Sequence, residues 1–444
     1  MIAVSFFLFT RKIWQLSFFF ISLHSEYKNM AVKNCYNYWQ QAIILLITIS
    51  IFCFWYFAFP YVIVIRESLL LFLWNSGYFM ERIAIPGGLA QYIGEGLVQF
   101  FRNPLNGALI YALLFVIEQW LTNQLLEQAF PTWKKAIRFA LSLIPPIILW
   151  RIAMIPEVPL TPTIAIIVVM AVMLGLTYLP KKIRAISTCV LMPIVYWLTG
   201  PAAILLVFCA VRWMPLTAIL FAGSLIGSSW IAPYPLQKIA MGIDYYWGKE
   251  RNIGTYEQME CDMLVRMNQW SDIISKFQYS NSATVTSAVR LAKFETGQIG
   301  RQELFSSMVV PKELQSGTPT IFSSNGLHLS VNFESLTAAY MVSDIAIQMY
   351  LPTISQRAAF EAMEFTPNYN KSGRALQRLV QTNMITGNYK TALKYLSILE
   401  ETTFYREWAH EMRHMAEHPQ LVRKNPFFKQ AQEAYANAED MFFI

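Results

Sequence analysis

His410-Glu411-Met412-Arg413-His414 comes nearest, in residue type and spacing, to a catalytic constellation in this chain. On a helix the two histidines lie one turn apart on one face. There they can hold a zinc ion while Glu411 polarises a bound water. His418 continues that face by another turn. A second set of candidate catalytic acids, Glu67, Glu81 and Glu95, lies between two strongly apolar stretches. Carboxylates in such a position can serve as general acids or bases.

The pentapeptide at 410–414 resembles the zincin metalloprotease signature. It departs from that pattern at Arg413, because such helices usually keep uncharged residues between the glutamate and the second histidine. No strand pattern nearby supplies an edge for a peptide substrate. Trp408, Met412 and Met415 form an apolar stripe, which leaves the histidines, Glu411 and Arg413 on a solvated face with i, i+4 pairs. The expected reading is therefore a surface helix without metal or cofactor, and a zinc protease is a lesser alternative. The phosphate-binding G-x-x-x-x-G-K-[ST], the dinucleotide G-x-G-x-x-G and the nucleophile elbow G-x-S-x-G are all missing from the sequence.

The elements that must position these residues follow from composition. The chain has 444 residues, of which 55% are hydrophobic and only 14% charged. A soluble domain carries about 25% charge, so the composition points to a membrane protein. The charge is unevenly spread: residues 1–235 hold 15 Lys and Arg against 7 Glu and no Asp, and the remainder is close to neutral. Basic residues confined to loops between apolar stretches report topology and do not form a nucleic-acid surface. Five cysteines with no C-x-x-C pair fit neither a zinc ribbon nor a disulfide framework.

Apolar stretches at 42–65, 105–122, 136–152, 161–179, 183–199 and 201–235, the last folded as two, suggest about seven membrane spans. Residues 1–41 form a leader or an extra helix, with translation starting at Met1 or Met30. Basic clusters at Lys28 and Lys33, at Lys134, Lys135 and Arg138, and at Lys181, Lys182 and Arg184 mark one side as cytoplasmic. That assignment places 66–104 and the tail, 236–444, outside the cytoplasm of a bacterial inner membrane. Loop 66–104 reads as two amphipathic helices in the membrane interface, separated by Pro86-Gly87-Gly88.

This layout resembles the membrane glycosyltransferases that use lipid-linked sugars. That family carries acidic residues in its first outer loop, and the resemblance would give catalytic roles to Glu67, Glu81 and Glu95. The family's loop typically includes an aspartate, whereas the first aspartate here is Asp244. The whole chain also resembles a group of uncharacterised bacterial membrane proteins with a multi-pass first half and a helical-repeat tail. Tyr78-Phe79, Pro86-Gly87-Gly88-Leu89-Ala90 and Gln99-Phe100-Phe101 carry that resemblance.

The tail shows helical periodicity near 255–267, 270–278, 283–295, 301–307, 333–348, 354–364, 371–385, 389–401 and 405–417, with a long loop at 309–332. Gly387, Tyr389 and Ala392 resemble the turn glycine, aromatic and small packing residue of a tetratricopeptide repeat. Such arrays bind a protein or peptide, so the repeat around these three residues is the candidate partner site. The expected fold class is all-α: a polytopic transmembrane bundle at 42–235, then a soluble tetratricopeptide-like α-solenoid at 236–444. The expected function is a scaffold in envelope assembly or export, with the lipid bilayer and a protein as partners and no nucleic acid. A glycosyltransferase is the alternative.

Overall fold

The computed structural model of the chain describes residues 32–248, 252–307, 322–323, 326–327, 335–367 and 371–437. The leader expected before residue 32, and with it the choice between Met1 and Met30, lies outside these residues, as does most of the loop expected at 309–332. Among the described residues the protein is almost entirely helical. Its described strand pairing is a short antiparallel ribbon, Phe322–Ser323 against Gly326–Leu327.

Helix α1, Val32–Cys53, continues through a π-helical turn, Phe54–Ala58, before Phe59 breaks the geometry (φ −136°, ψ 37°). Pro60 then opens α2, Pro60–Ser68, which is buried from Tyr61 to its end. A proline is tolerated at the first helical position because its missing N–H would have no partner there. The stretch expected as one span at 42–65 is therefore two helices joined at an angle-absorbing residue.

Among the described residues four stretches are long and apolar enough to cross a membrane: Trp39–Ala58, Pro104–Ala129, Lys181–Ala210 and Met214–Ile231. This corrects the expectation of about seven spans. Residues 135–152 divide at Leu143 into α6, Lys135–Ser142, and α7, Ile144–Ile152, where Pro145 and Pro146 sit in the first turn of the second helix. Helix α8, Thr161–Thr177, is apolar but short. The 181–210 stretch is itself interrupted at Gly200 (φ +71°), which ends α9, Lys181–Thr199, and starts a 3-10 segment, Gly200–Trp213. That segment packs against α8, α9 and α10, Met214–Ile231.

Loop 66–104 contains two helices, as its periodicity predicts, but they are not simply laid on a surface. Helix α3, Ser76–Ile83, starts where the Asn75 side chain accepts from the Tyr78 N–H (2.6 Å). Helix α4, Gly88–Val98, packs against α8 and α9. The turn between them needs both glycines. Gly87 is left-handed (φ +87°), and a Cβ on Gly88 would stand 1.8 Å from the Arg82 carbonyl oxygen. Helix α5, Pro104–Ala129, follows, capped by Asn103.

After a short α11, Leu236–Met241, the tail begins. Its helices are α12, Tyr256–Arg266; α13, Trp270–Phe277; α14, Ala283–Glu295; α15, Arg301–Ser307; α16, Leu336–Gln348; and α17, Pro352–Glu364. They continue with α18, Gly373–Ile385; α19, Tyr389–Leu399; α20, Arg406–Glu417; α21, Pro419–Lys424; and α22, Pro426–Asn437. A reciprocal Thr255–Gln258 capping box opens α12. From α16 to α22 each helix packs on the next, and α22 also returns against α18. Helix α12 packs on α2, so one buried core runs through both halves of the chain.

Candidate functional site: the joint between the two halves

Helix α2 is followed by an irregular buried run, Leu69–Phe72, and brings Glu67 and Ser68 into contact with the tail, while Arg66 donates to the Ala153 (2.7 Å) and Ile155 (2.9 Å) carbonyls within the apolar half. Glu67 is 4% exposed. Its Oε2 accepts from Arg266 Nη2 at the end of α12 (2.7 Å), and its Oε1 accepts from the Tyr405 hydroxyl just before α20 (2.6 Å). Arg266 also donates to Ser68 Oγ (2.8 Å) and to the Val64 carbonyl (3.3 Å). Tyr340 donates from α16 to the Ser68 carbonyl (3.2 Å). One short run of α2 is thus gripped by three helices or turns of the tail that lie far apart in sequence.

The electrostatics agree with this geometry. Burial, and then the Glu67 carboxylate, push the Tyr405 phenol above its ordinary range, so it keeps the proton that it donates. Burial is the largest influence on Arg266 and works against its charge, but Glu67 and Tyr405 together outweigh it and the net shift is upward. A second seam lies beside the first. Trp74 donates its backbone N–H to the Glu401 carbonyl (2.9 Å) and its indole N–H to Thr403 Oγ1 (2.6 Å). Asn75 pairs with Glu401, and Thr403 donates to Gln99 Oε1 (2.6 Å).

Glu95, 2% exposed, forms its own cluster inside the 66–104 segment. Its Oε2 accepts from the Tyr78 hydroxyl and from Arg82 Nε, each at 2.7 Å, and its Oε1 accepts from Gln91 Nε2 (2.9 Å). The Arg82 guanidinium also lies over the Tyr78 ring, 4.3 Å from its centroid. Asp244 stands behind this cluster and accepts from Thr161 Oγ1 (2.6 Å) and Trp247 Nε1 (3.0 Å). Burial, with Glu95 adding to it, raises the Asp244 carboxyl to about 7. Glu81 differs: its side chain is 70% exposed and meets Arg82 at 3.2 Å. Glu67 and Glu95 line one narrow cleft together with Gln99 and Tyr405, and Glu81 does not reach it.

The residues of 410–414 lie elsewhere. His410, Glu411, His414 and His418 are on the exposed face of α20 and at its end. Arg413 binds Glu400 through two contacts and Glu417 at 3.5 Å, while His410 Nδ1 is 3.3 Å from Glu400. The His414 and His418 rings meet edge to face, 5.1 Å apart. Among the described residues no group of three or more His, Cys, Asp or Glu side chains is placed to hold a metal ion.

Of the three repeat residues, Tyr389 and Ala392 are packing positions and Gly387 is an exposed turn residue with open space around it. Gly387 takes φ +78° in the turn between α18 and α19, and Ala392 is fully buried between helices. The Tyr389 hydroxyl accepts from Gln432 of α22 (3.1 Å). The exposed surface at this repeat belongs to Gly387 and to neighbours such as Lys390 and Lys394.

Sequence reasoning missed the tail's buried charges. Asp262, 1% exposed, receives both contacts of Arg374 Nη1 (2.8 and 2.9 Å), and Asp344 takes Arg374 Nη2 (2.7 Å) and Arg378. The two arginines hold Asp344 below its ordinary value although burial opposes them, whereas burial dominates at Asp262 and raises it. The available signal was a lone acid inside an apolar helical run, in Cys261-Asp262-Met263-Leu264-Val265 and in Met341-Val342-Ser343-Asp344-Ile345. Arg102, Arg266, Arg374 and Arg378 all line a cavity of about 540 Å³ at this joint.

Among the described residues, an almost entirely helical protein with four membrane-length helices and a tightly fastened polar tail is the class defined by these features. Residues 35–444 match DUF6057, a family of unknown function, and the chain belongs to that family. No curated protein and no solved structure matches it.

Proposed function

We propose that the protein is a polytopic bacterial inner-membrane scaffold. Its tail is a tetratricopeptide-like α-solenoid held outside the cytoplasm, docking a protein partner in envelope assembly or export. The observation that carries this reading is the double grip on Glu67. Arg266 ends helix α12 and Tyr405 lies in the turn before α20, and both close on one carboxylate next to the first membrane-length helix. A tail fastened in this way is a fixed platform and cannot swing as a tethered arm. The lipid-facing surface is supplied by α1 and α10, in whose most apolar windows only 11% of residues are buried. Consecutive packing from α16 to α22 supports the solenoid. Glu67 and Glu95 favour fastening over sugar transfer, because donors of the chain itself engage both oxygens of each carboxylate.

The test is site-specific photo-crosslinking of the full-length chain in its native envelope, from Lys394 on α19 and from Lys182 in the first turn of the third long helix. A discrete adduct with one envelope protein at position 394, absent at 182 and reduced in Glu67→Gln, is the expected result. The same adducts at both positions, or extraction of the chain by alkaline carbonate, would overturn it.

A further inference from the structure

The joint encloses more than a set of fasteners. Its cavity of about 540 Å³ lies within the ordinary size range of small-molecule sites, and both halves of the chain contribute to it. Val64 and Arg102 come from the apolar half, and the remaining wall comes from α12, α13, α14, α16, α18 and α20. A volume of this kind, at the meeting of two parts of a fold, is where ligands are most often held.

The chemistry of the wall is unusual for a gap left between packed helices. Four guanidinium groups, on Arg102, Arg266, Arg374 and Arg378, line it together with the carboxylates of Asp344 and Glu295. Glu67 and Asp262 lie behind the arginines. They orient Arg266 and Arg374 without being part of the lining. Arg102 has a neutral partner and a ring: it donates to the Phe404 carbonyl (3.2 Å) and lies 4.7 Å from the Tyr405 centroid. Arg378 shares Asp344 with Arg374 and donates from Nη1 to Gln381 (3.0 Å). Burial pulls the Arg378 guanidinium below its ordinary value in spite of Asp344, so an anion beside it would be favourable. Guanidinium forks match the paired oxygens of phosphate.

The rest of the wall is suited to a sugar ring. Trp270 and Trp408 are half-buried in the lining, and Gln348, Gln377 and Gln381 bring amides that can both donate and accept. Planar aromatic walls with amides recognise polyhydroxylated rings, and a phosphate monoester, which carries about −1.5 to −2 charge at neutral pH, is drawn to Arg102, whose partner is a neutral carbonyl, and to Arg378, which shares its carboxylate with Arg374.

We infer that this cavity binds a phosphorylated sugar, with Arg378, Arg374 and Arg102 on the phosphoryl group and Trp270 and Trp408 against the ring. The same chemistry can arrive free in solution or as the headgroup of a lipid. In either form it would bridge the two halves, whether or not the tail also docks a protein.

The test is calorimetric titration of the purified full-length protein in detergent. The probes are glucose 1-phosphate, glucose, inorganic phosphate, and a phosphatidylinositol phosphate in mixed micelles. Saturable binding of glucose 1-phosphate below about 1 mM, with glucose and inorganic phosphate each at least about tenfold weaker, is the expected result. Stronger binding of the micellar lipid would assign the source as a headgroup. Arg378→Gln should weaken the phosphorylated probe about tenfold. Trp270→Leu, which removes no fastening contact, should bring glucose 1-phosphate down to the level of inorganic phosphate. No saturable heat with either phosphorylated probe up to about 10 mM, equal binding of glucose and glucose 1-phosphate, or binding unchanged in both variants would overturn the inference.

Discussion

Replacing Glu67 with glutamine removes one charge at the joint and keeps the side-chain shape. In the native protein the Glu67 side chain is 4% exposed and that of Arg266 is 13% exposed, so water cannot take over the lost partner. Breaking one side of such a pair costs about 3–5 kcal/mol, because the remaining charge stays buried. Arg266 keeps Ser68 Oγ and the Val64 carbonyl, and the glutamine oxygen can still accept from Tyr405, which places the loss near the lower bound, about 3 kcal/mol. For a unit the size of the tail this lowers the midpoint of thermal unfolding by about 6–12 °C. The assay is fluorescence-monitored unfolding of the full-length protein in detergent, for Glu67→Gln, Arg266→Met and the double variant. The double variant should lose less than the sum of the singles, because neither side then leaves an orphaned charge. Shifts under about 2 °C in both singles, or strict additivity, would refute the joint as described.

The remaining perturbations test neighbouring features. Gly373→Ala places a Cβ 2.4 Å from the Tyr405 ring, and by forcing that ring off Glu67 it should cost about 1–3 kcal/mol in the same unfolding assay. The Asp244 carboxyl is raised in the folded state to about 7, so its contribution to stability is fully present below the unfolded value near 3.8 and is lost as pH rises to about 7. Asp244→Asn should therefore flatten the pH–stability curve between about 4 and 7, and an unchanged slope there would contradict the assignment. His410→Ala and His414→Ala, on an exposed helix face, should each change stability by less than about 0.5 kcal/mol and leave the metal content of the purified protein unaltered by elemental analysis. Stoichiometric zinc that disappears in both variants would restore the metalloprotease reading.

The helices of the tail were legible because each is short, amphipathic and ended by a turn residue. Helix α14 spans the residues expected of it, 283–295, and α18 and α19 meet at Gly387 as the pattern predicts. Helices α21 and α22 were not anticipated, since Pro419 and Pro426 break the period after α20 into segments too short to show it. The apolar half was harder to read for a physical reason. Hydropathy reports how apolar a stretch is and not where the backbone bends. The prolines at 60, 145 and 146 and the left-handed Gly200 divide stretches of uniform composition. Of the candidate acids Glu67 and Glu95 are buried and Glu81 and Glu411 are exposed, and the environment of the buried pair depends on partners about 200 and 338 residues away for Glu67 and 13 residues away for Glu95. No local pattern carries that information.

The buried acids therefore share one logic. A carboxylate buried in an apolar helix is unfavourable until a specific donor reaches it, so it penalises every arrangement of the tail except the one that supplies that donor. Glu67 is satisfied only when the segment ending in Arg266 and the turn holding Tyr405 arrive together; Asp344 is satisfied when α18 presents both Arg374 and Arg378. Apolar contacts alone would let α2 slide along α12 with little loss, because they lack direction. The charged contacts fix the register, and in doing so they set the four arginines around one cavity. A structure that needed only to attach a tail to a membrane would gain nothing from holding Arg374 and Arg378 on one shared carboxylate at a wall. That the fastening and the lining use the same residues is the reason to expect ligand binding and tail docking to be coupled.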